Sequence, residues 1–396
     1  MVLGPPPPTT CFEHELANTN LQTVIGDRKD YWMEEKQHKR RIHYSGKYPR
    51  RFEEKYKELN PEKYGDEIAH VIAKGNTPAG MHIPIMVDEI LDVLAIKPGE
   101  RGFDATLGYG GHTCAMLEKL AGKGHLISGD IDPIESKKTE ARIRAKGFGE
   151  DIWELRNMNF CQIDELAREV GSFDFILADL GVSSMQIDNP ERGFTYKSEG
   201  PLDLRLNPEV GITAADRLRD IDEYELEGLL QENADEPYAT EIARYIVKTR
   251  RRRPIRTTKD LHEAIGQALA KVKLPREMAE RAGYSTKKQA LARAELIKKS
   301  SARVFQALRI DINREYEVLY EFMEKLPAAL APGGRAAILT FHSGEDRIVK
   351  KAFKIFHQQG VYADIAQDVI RPTKEECYRN SRAHSTKLRW AVKGEE

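Results

Sequence analysis

An acid, a threonine and three glycines fall within eight positions of "FDATLGYGGHT" (residues 103–113), directly after the turn-like "IKPGE". Glycines at a strand-to-helix turn let a ligand approach the backbone, and the first turn of the helix offers it unpaired N–H groups. A dinucleotide fingerprint reads G-x-G-x-x-G, and Gly108-Tyr-Gly110-Gly111-His112-Thr113 lacks the third glycine. The loop also carries no lysine with which to grip a phosphate. Asp130 stands twenty positions after Gly110, at the end of "HLISGD", where a carboxylate can take both hydroxyls of a ribose. Asp179 closes the apolar run "FDFILAD", and the carboxyl ends of such strands form the ligand crevice of open α/β sheets. A third cluster, "TFHSGEDR", offers His342, Ser343, Asp346 and Arg347. Ser343 to Asp346 equally reads as a helix N-cap with an acid at its third position.

These residues need a scaffold that brings strand ends together. Four apolar strands, "RGFDATLG", "GHLISGDID", "FDFILADLGV" and "GGRAAILTFHS", alternate with helical stretches, which predicts a mostly parallel sheet covered on both faces. "HIPIMVDEILDVLAI" (82–96) reads as a helix leading into it. More than a hundred residues with only helical patterns separate the last two strands. There "TKDLHEAIGQALAKV" starts with Thr258 as an N-cap. The expected organisation is an N-terminal extension over 1–80, a first part of the sheet domain over 81–204, an inserted helical subdomain over 205–300, and the second part of the sheet domain over 301–396. The extension is basic, contains prolines and reads as partly flexible.

At 396 residues the chain exceeds one ordinary domain, which suits a core with an insertion and an extension. Charged residues make up 32% and apolar ones 40%, a balance that fits a soluble protein with a real core. No apolar run of about eighteen residues predicts a membrane span, and the first twenty residues lack a signal-peptide pattern, so the expected location is the cytoplasm. Cys11, Cys114, Cys161 and Cys377 are scattered without a C-x-x-C pair, which points neither to a zinc cage nor to a disulfide framework. The net charge of −1 hides an acidic stretch over 215–236 beside the acid-free "VKTRRRRPIRTTK" (247–259). Arg250, Arg251, Arg252 and Arg253 are the densest cationic patch, a surface suited to phosphates.

The spacing Asp104-x-Thr106-x-Gly108-x-Gly110 resembles the D-x-G-x-G-x-G loop of class I methyltransferases, with threonine at the first glycine. The stretch "DLGVSSMQIDNPERGFTYKSEGPLDLRLNP" (179–208) resembles the signature of the RsmH/MraW family. Members of that family use S-adenosylmethionine to methylate N4 of a cytidine in the decoding region of small-subunit (16S) ribosomal RNA. "HIPIMVDEIL", "DATLGYGGHT", "VFQALRIDIN", "GGRAAILTFHSGEDRIVKKAF" and "NSRAHSTKLRWAV" follow in family order over about 82–392. The resemblance implies a class I, Rossmann-like α/β sheet and S-adenosylmethionine as cofactor. It assigns cofactor contacts to Gly110, Gly111 and His112, joined by Gly108 of the same loop, and to Asp130, Phe160, Asp179 and Gln186. Where the family usually carries "FHSLEDR", this chain has Gly344, and its first 80 residues lie beyond the usual family start.

A cytosine amine is a poor nucleophile because its lone pair is delocalised, so an enzyme must align it with the methyl donor and accommodate its proton. Many amino-methyltransferases use a D/N-P-P-Y/F motif after this strand, but here the chain reads Asp179-Leu-Gly-Val. Asp179 and nearby carbonyls are therefore expected to hold the amine, with Ser183 and Ser184 lining the pocket and His342 hydrogen-bonding the base. Arg347 and Arg250 to Arg253 are expected to contact RNA phosphates, with the target nucleotide splayed into the pocket. Asp203 and Arg205 read chiefly as a structural pair. The expected partner is small-subunit ribosomal RNA, within the assembled subunit, and the chain acts as a monomer or homodimer with no membrane and no metal. A nicotinamide oxidoreductase, a DNA cytosine-N4 methyltransferase and a non-catalytic ribosome-assembly factor are the competing readings.

Overall fold

A computed structural model describes residues 84–395. The extension expected over 1–80 lies outside the described residues. The helix expected over 82–96 is confined to α1 (Val87–Leu94), because Met86 and Ala95 at its two ends take left-handed backbone conformations. Strands and helices then alternate: β1 (Arg101–Asp104), α2 (Gly111–Leu120), β2 (His125–Asp130), α3 (Pro133–Ala145), β3 (Trp153–Asn157), α4 (Ile163–Val170) and β4 (Phe173–Asp179). The short α5 (Ser184–Asp188) precedes α6 (Ala214–Asp220), α7 (Glu223–Ala234), α8 (Ala239–Thr249), α9 (Thr258–Ala268), α10 (Arg276–Ala282) and α11 (Thr286–Asn313). The chain returns to the sheet through α12 (Glu315–Ala329) and β5 (Leu330–Thr340), followed by α13 (Ser343–Gln358), β6 (Tyr362–Ile365), α14 (Lys374–Arg379) and β7 (Lys387–Lys393).

The seven strands form one sheet in the order β3-β2-β1-β4-β5-β7-β6. The first five pair in parallel, and β7 runs antiparallel between β5 and β6. Successive residues of β4 feed opposite faces. Ile176 and Ala178 join a core built with α4, α12 and α13, while Phe175 and Leu177 join one built with α1, α2 and α3. A parallel strand covered on both sides must read as a continuous apolar run, which is why "FDFILAD" is legible. β3, β6 and β7 escape sequence reading because "WELRN", "YADI" and "KLRWAVK" are short or mix charges with apolar residues, and β3 and β6 are sheet edges.

Helices α6 to α11 pack around a third core that includes Leu218, Leu226, Ile242, Ile246, Leu261, Ile265, Leu296 and Phe305. The boundary expected near 300 falls inside the 28-residue α11. Strand order reverses at β1, whose two neighbours are β2 and β4. That is the switch point at which the connecting loops part and leave a crevice. No described helix is long and apolar enough to cross a membrane.

Candidate active site

The loop between β1 and α2 forms the floor of the crevice. The Gly108 N–H donates to Asp130 Oδ2 (2.9 Å), and Thr139 Oγ1 on α3 donates to the Gly108 carbonyl (2.6 Å). Gly110 caps α2 in the left-handed region (φ 81°), and a Cβ there would meet Thr139 and Ile143 at 2.8 and 2.9 Å. A Cβ on Gly111 would meet Pro84 at 2.8 Å. The side chains that require these two glycines thus belong to the protein itself, whereas the sequence reading had assigned their bareness to ligand approach. Asp104, fully buried, ties the loop to α2 by accepting from Thr113 Oγ1 (2.5 Å) and the Thr106 N–H (3.2 Å).

Three further carboxylates sit at the strand ends. Asp130 also accepts from the Asp132 N–H (2.8 Å), and burial raises its carboxyl to about 6 against the help of its two N–H donors. Asp132 is wholly buried; Oδ1 caps α3, and Oδ2 accepts from Gln186 Nε2 (2.9 Å) and Arg192 (2.6 Å). Such a fully bonded buried ion pair holds the loop after β4 against the loop after β2. Asp179 offers its N–H to Thr106 Oγ1 (2.7 Å), and its Oδ2 lies 3.5 Å from His112 Nδ1. The other oxygen, Oδ1, is buried without a hydrogen-bond partner among the described residues. Burial, assisted by the nearby Glu345 charge, raises the Asp179 carboxyl to about 7.

Ser183 and Gln186 close a capping box on α5. The Ser183 hydroxyl accepts from the Gln186 N–H (3.2 Å), and Gln186 Oε1 accepts from the Ser183 N–H (2.9 Å). At the end of β5, His342 is the N-cap of α13 and accepts from the Glu345 N–H (3.4 Å). The cap expected at Ser343 is therefore displaced by one residue, as is the one expected at Thr258, where Thr257 caps α9. Glu345 faces His342 Nε2 at 3.0 Å, off the line of a hydrogen bond, and accepts from the Phe341 N–H (2.8 Å). Burial alone would raise Glu345, but His342, Arg309 and Phe341 offset it and hold the carboxyl below its ordinary value. Arg309 on α11 makes a two-pronged pair with Glu315 at 2.7 and 2.8 Å.

Most of these groups, though neither Asp104 nor Asp132, line one cavity of about 390 Å³. Gly108, Gly110, Gly111, His112, Asp130, Phe160, Asp179 and Gln186 all face it, as do Ser183, Ser184 and His342. Phe160 meets Phe322 edge-on at 5.1 Å, which fixes its ring as a wall. The polar ends of His112 and Gln186 are largely spent inside the protein, so what they offer a ligand is mainly ring face and one amide hydrogen. Sequence reading missed Arg309, Glu315, Glu345 and Asp132. Arg309 and Glu345 lie within motifs noted in the sequence, but only the fold brings the end of α11 and the start of α13 to the same cavity.

The arginine patch is corrected in part. Arg250 donates to the Leu218 carbonyl (2.9 Å) and the Ile221 carbonyl, so it closes α6, and Arg253 pairs with Glu263. Arg251 and Arg252 are exposed without an ion-pair partner among the described residues. Arg347 is exposed on the first turns of α13 and does not line the cavity. Asp203 and Arg205 form a two-pronged pair (2.7 and 2.8 Å). The thiols of Cys114, Cys161 and Cys377 are free.

A seven-stranded sheet with β7 reversed, a glycine turn after β1 and a cavity at the switch point define a class I methyltransferase fold. A sequence model of the MraW methylase family matches residues 79–394, and the chain belongs to that family. "Ribosomal RNA small subunit methyltransferase H 1" of Agathobacter rectalis is 63% identical over 363 residues, covering 91% of this chain and 99% of the relative. The protein of the same name from Lachnoclostridium phytofermentans is 56% identical over 377 residues, covering 95% and 98%. "Ribosomal RNA small subunit methyltransferase H" of Heliobacterium mobile is 37% identical over 333 residues, covering 79% and 98%. The first two alignments take in more of the chain than 79–394 holds, so part of the segment before residue 79 is shared with those relatives.

Proposed function

We propose that this chain transfers a methyl group from S-adenosylmethionine to the N4 amine of a cytidine in the decoding region of small-subunit (16S) ribosomal RNA, presented in the assembled subunit. The observation that carries this reading is Asp179 Oδ1, buried without a hydrogen-bond partner among the described residues, in the same cavity as the glycine loop and Asp130. A buried acceptor left without a donor suits a ligand that brings N–H groups. The residues fit the cofactor. The backbone of 108–111 would carry its amino-acid part, and each Asp130 oxygen, already accepting one N–H, keeps a lone pair for a ribose hydroxyl. Phe160 would wall the adenine. The cavity falls within the usual range of about 300–1,000 Å³ for small-molecule sites.

When bound, the cofactor supplies an electrophilic methyl group on a positively charged sulfur. Asp179 accepts an N–H of the amine and so turns the nitrogen toward that methyl, and such alignment can supply several kcal/mol of the barrier, up to roughly 7–11 kcal/mol in well-oriented systems. The capping box of Ser183 and Gln186 fixes the loop that follows Asp179, with Ser184 beside it. His342 stands across the cavity as a polar contact for the base, and Arg251, Arg252 and Arg347 face RNA phosphates. The family membership, and the ribosomal RNA named for the relatives, support RNA as the substrate.

The test is transfer of labelled methyl from S-adenosylmethionine to unmethylated small ribosomal subunits, naked ribosomal RNA and DNA, followed by nucleoside analysis. N4-methylcytidine on the subunit is the expected product. Label on another nucleoside, on DNA alone, or on none of the three would overturn the reading.

A further inference from the structure

We infer that His112 and Asp179 share one proton in the resting enzyme and together take the proton that the methylated amine gives up, His112 acting as the positioning residue that sets the charge of Asp179. The inference rests on the proposed transfer to a cytidine amine. His112 Nε2 lies 2.9 Å from the Ile85 carbonyl oxygen, which can only accept. That nitrogen therefore carries a hydrogen in either charge state of the ring. Nδ1 then faces Asp179 Oδ2 at 3.5 Å. A neutral ring would set a lone pair against an ionised carboxylate, so the gap is comfortable only with a proton in it, on the ring or on the acid. Such a pair titrates as one unit.

The surroundings hold the pair at that balance. Burial lowers the histidine and raises the aspartate, which brings their proton affinities together. The charged groups facing the pair are Asp104 at the end of β1, Glu345 on α13 and Glu376 on α14, and Arg309 and Arg382 line the same cavity. The proton balance closes. As the N–CH3 bond forms from the nitrogen lone pair and the S–CH3 bond breaks with its electron pair left on sulfur, the nitrogen gains a positive charge; its N–H bond then breaks, the electron pair stays on nitrogen, and the proton passes to Asp179 Oδ1. The pair then holds two protons and one positive charge, equal to the charge lost from the sulfur, so the buried site keeps its net charge throughout. Release of product lets one proton return to water.

Nitrogen-15 NMR of histidine-labelled, ligand-free protein reads the pair without any substrate. The expected result is Nε2 protonated at every pH and an Nδ1 titration that moves to lower pH in Asp179→Asn, because the anion that favours imidazolium is gone. An Nδ1 titration unchanged by Asp179→Asn overturns the inference. In single-turnover methylation at saturating cofactor, His112→Gln keeps a donor for Ile85 but cannot titrate. Its rate is expected to fall about 100-fold, and the acid limb of its pH profile to move to higher pH, because Asp179 then titrates without an imidazolium beside it. A loss seen only as weaker cofactor binding, with the acid limb unmoved, overturns it. Absence of N4-methylcytidine in the wild type would sink the substrate reading, and the NMR titration would still decide on the pair.

Discussion

Asp130 and Asp179 carry the same charge on ionisation, and in the proposed reading both meet hydrogen-bond donors when a ligand enters. Ribose hydroxyls donate, so cofactor binding favours the ionised form of Asp130, whose carboxyl burial has raised to about 6. Cofactor affinity should therefore weaken as pH falls below about 6, with proton release on binding near that pH. Calorimetry in buffers of different ionisation enthalpy checks this, and Asp130→Asn should remove both effects. Stability follows the opposite course. Asp130 has a folded value, about 6, above the ordinary 3.8. Between about pH 4 and 6 the folded chain thus holds a proton there that the unfolded chain has released. Its contribution is fully present below the ordinary carboxyl value and is lost as pH rises through 6. Urea unfolding of the ligand-free protein should show that contribution declining across the window, and Asp130→Asn should flatten the decline.

The turn after β1 and the buried bridge behind it show how whole elements, and not single side chains, hold the site. Alanine at Gly110 has to adopt a left-handed backbone and push into α3. The expected cost is roughly 1–3 kcal/mol for the backbone alone, read as a lower midpoint in denaturant together with weaker cofactor binding. Asp132 joins the N-terminus of α3, Gln186 of α5 and Arg192. Removing it as Asp132→Ala strands the Arg192 charge, and such losses cost about 3–5 kcal/mol; thermal unfolding measures it, with Asp132→Asn expected to recover part. The starts of α9 and α13 were legible in the sequence to within a residue. Thr257 and His342, each one position before the residue read as the cap, bond the N–H groups of Asp260 and Glu345. The cap is decided by where the backbone turns extended, and a run of polar residues leaves that open.

α11 connects the helical region to the cavity. Its 28 residues span about 42 Å at 1.5 Å per residue. It starts beside the exposed Tyr284 and ends with Arg309 and Asn313 at the cavity wall. If the helical region holds RNA, as proposed, one continuous element registers that RNA against the site. Binding to the small subunit should weaken steeply with salt. Arg251→Ala and Arg252→Ala should each reduce the slope of log affinity against log salt by about 0.7–0.9 while leaving thermal stability unchanged. Arg250→Ala should do the reverse, lowering stability through the freed Leu218 and Ile221 carbonyls and leaving the slope in place. Binding assays from low to moderate salt, beside melting curves, separate the two.

Much of the cavity lining was readable before any coordinates. Covered parallel strands are continuous apolar runs, and the residues that end them, Asp104, Asp130 and Asp179, stand out because an acid stops the run. The loop motif and the 179–208 stretch are local in sequence, so their resemblance to a family is legible as well. Pairings made across the fold were not. Asp132 with Arg192, Arg309 with Glu315, and His112 with both Ile85 and Asp179 join positions whose spacing along the chain carries no signal. The commitment of Arg250 to backbone carbonyls was hidden for the same reason, since identical arginines in a row differ only in what the fold places beside them. Local pattern specifies which elements form and which residues end them. Burial and partner geometry, which specify charge and proton position, arise only when the sheet's switch point and α11 converge on one cavity.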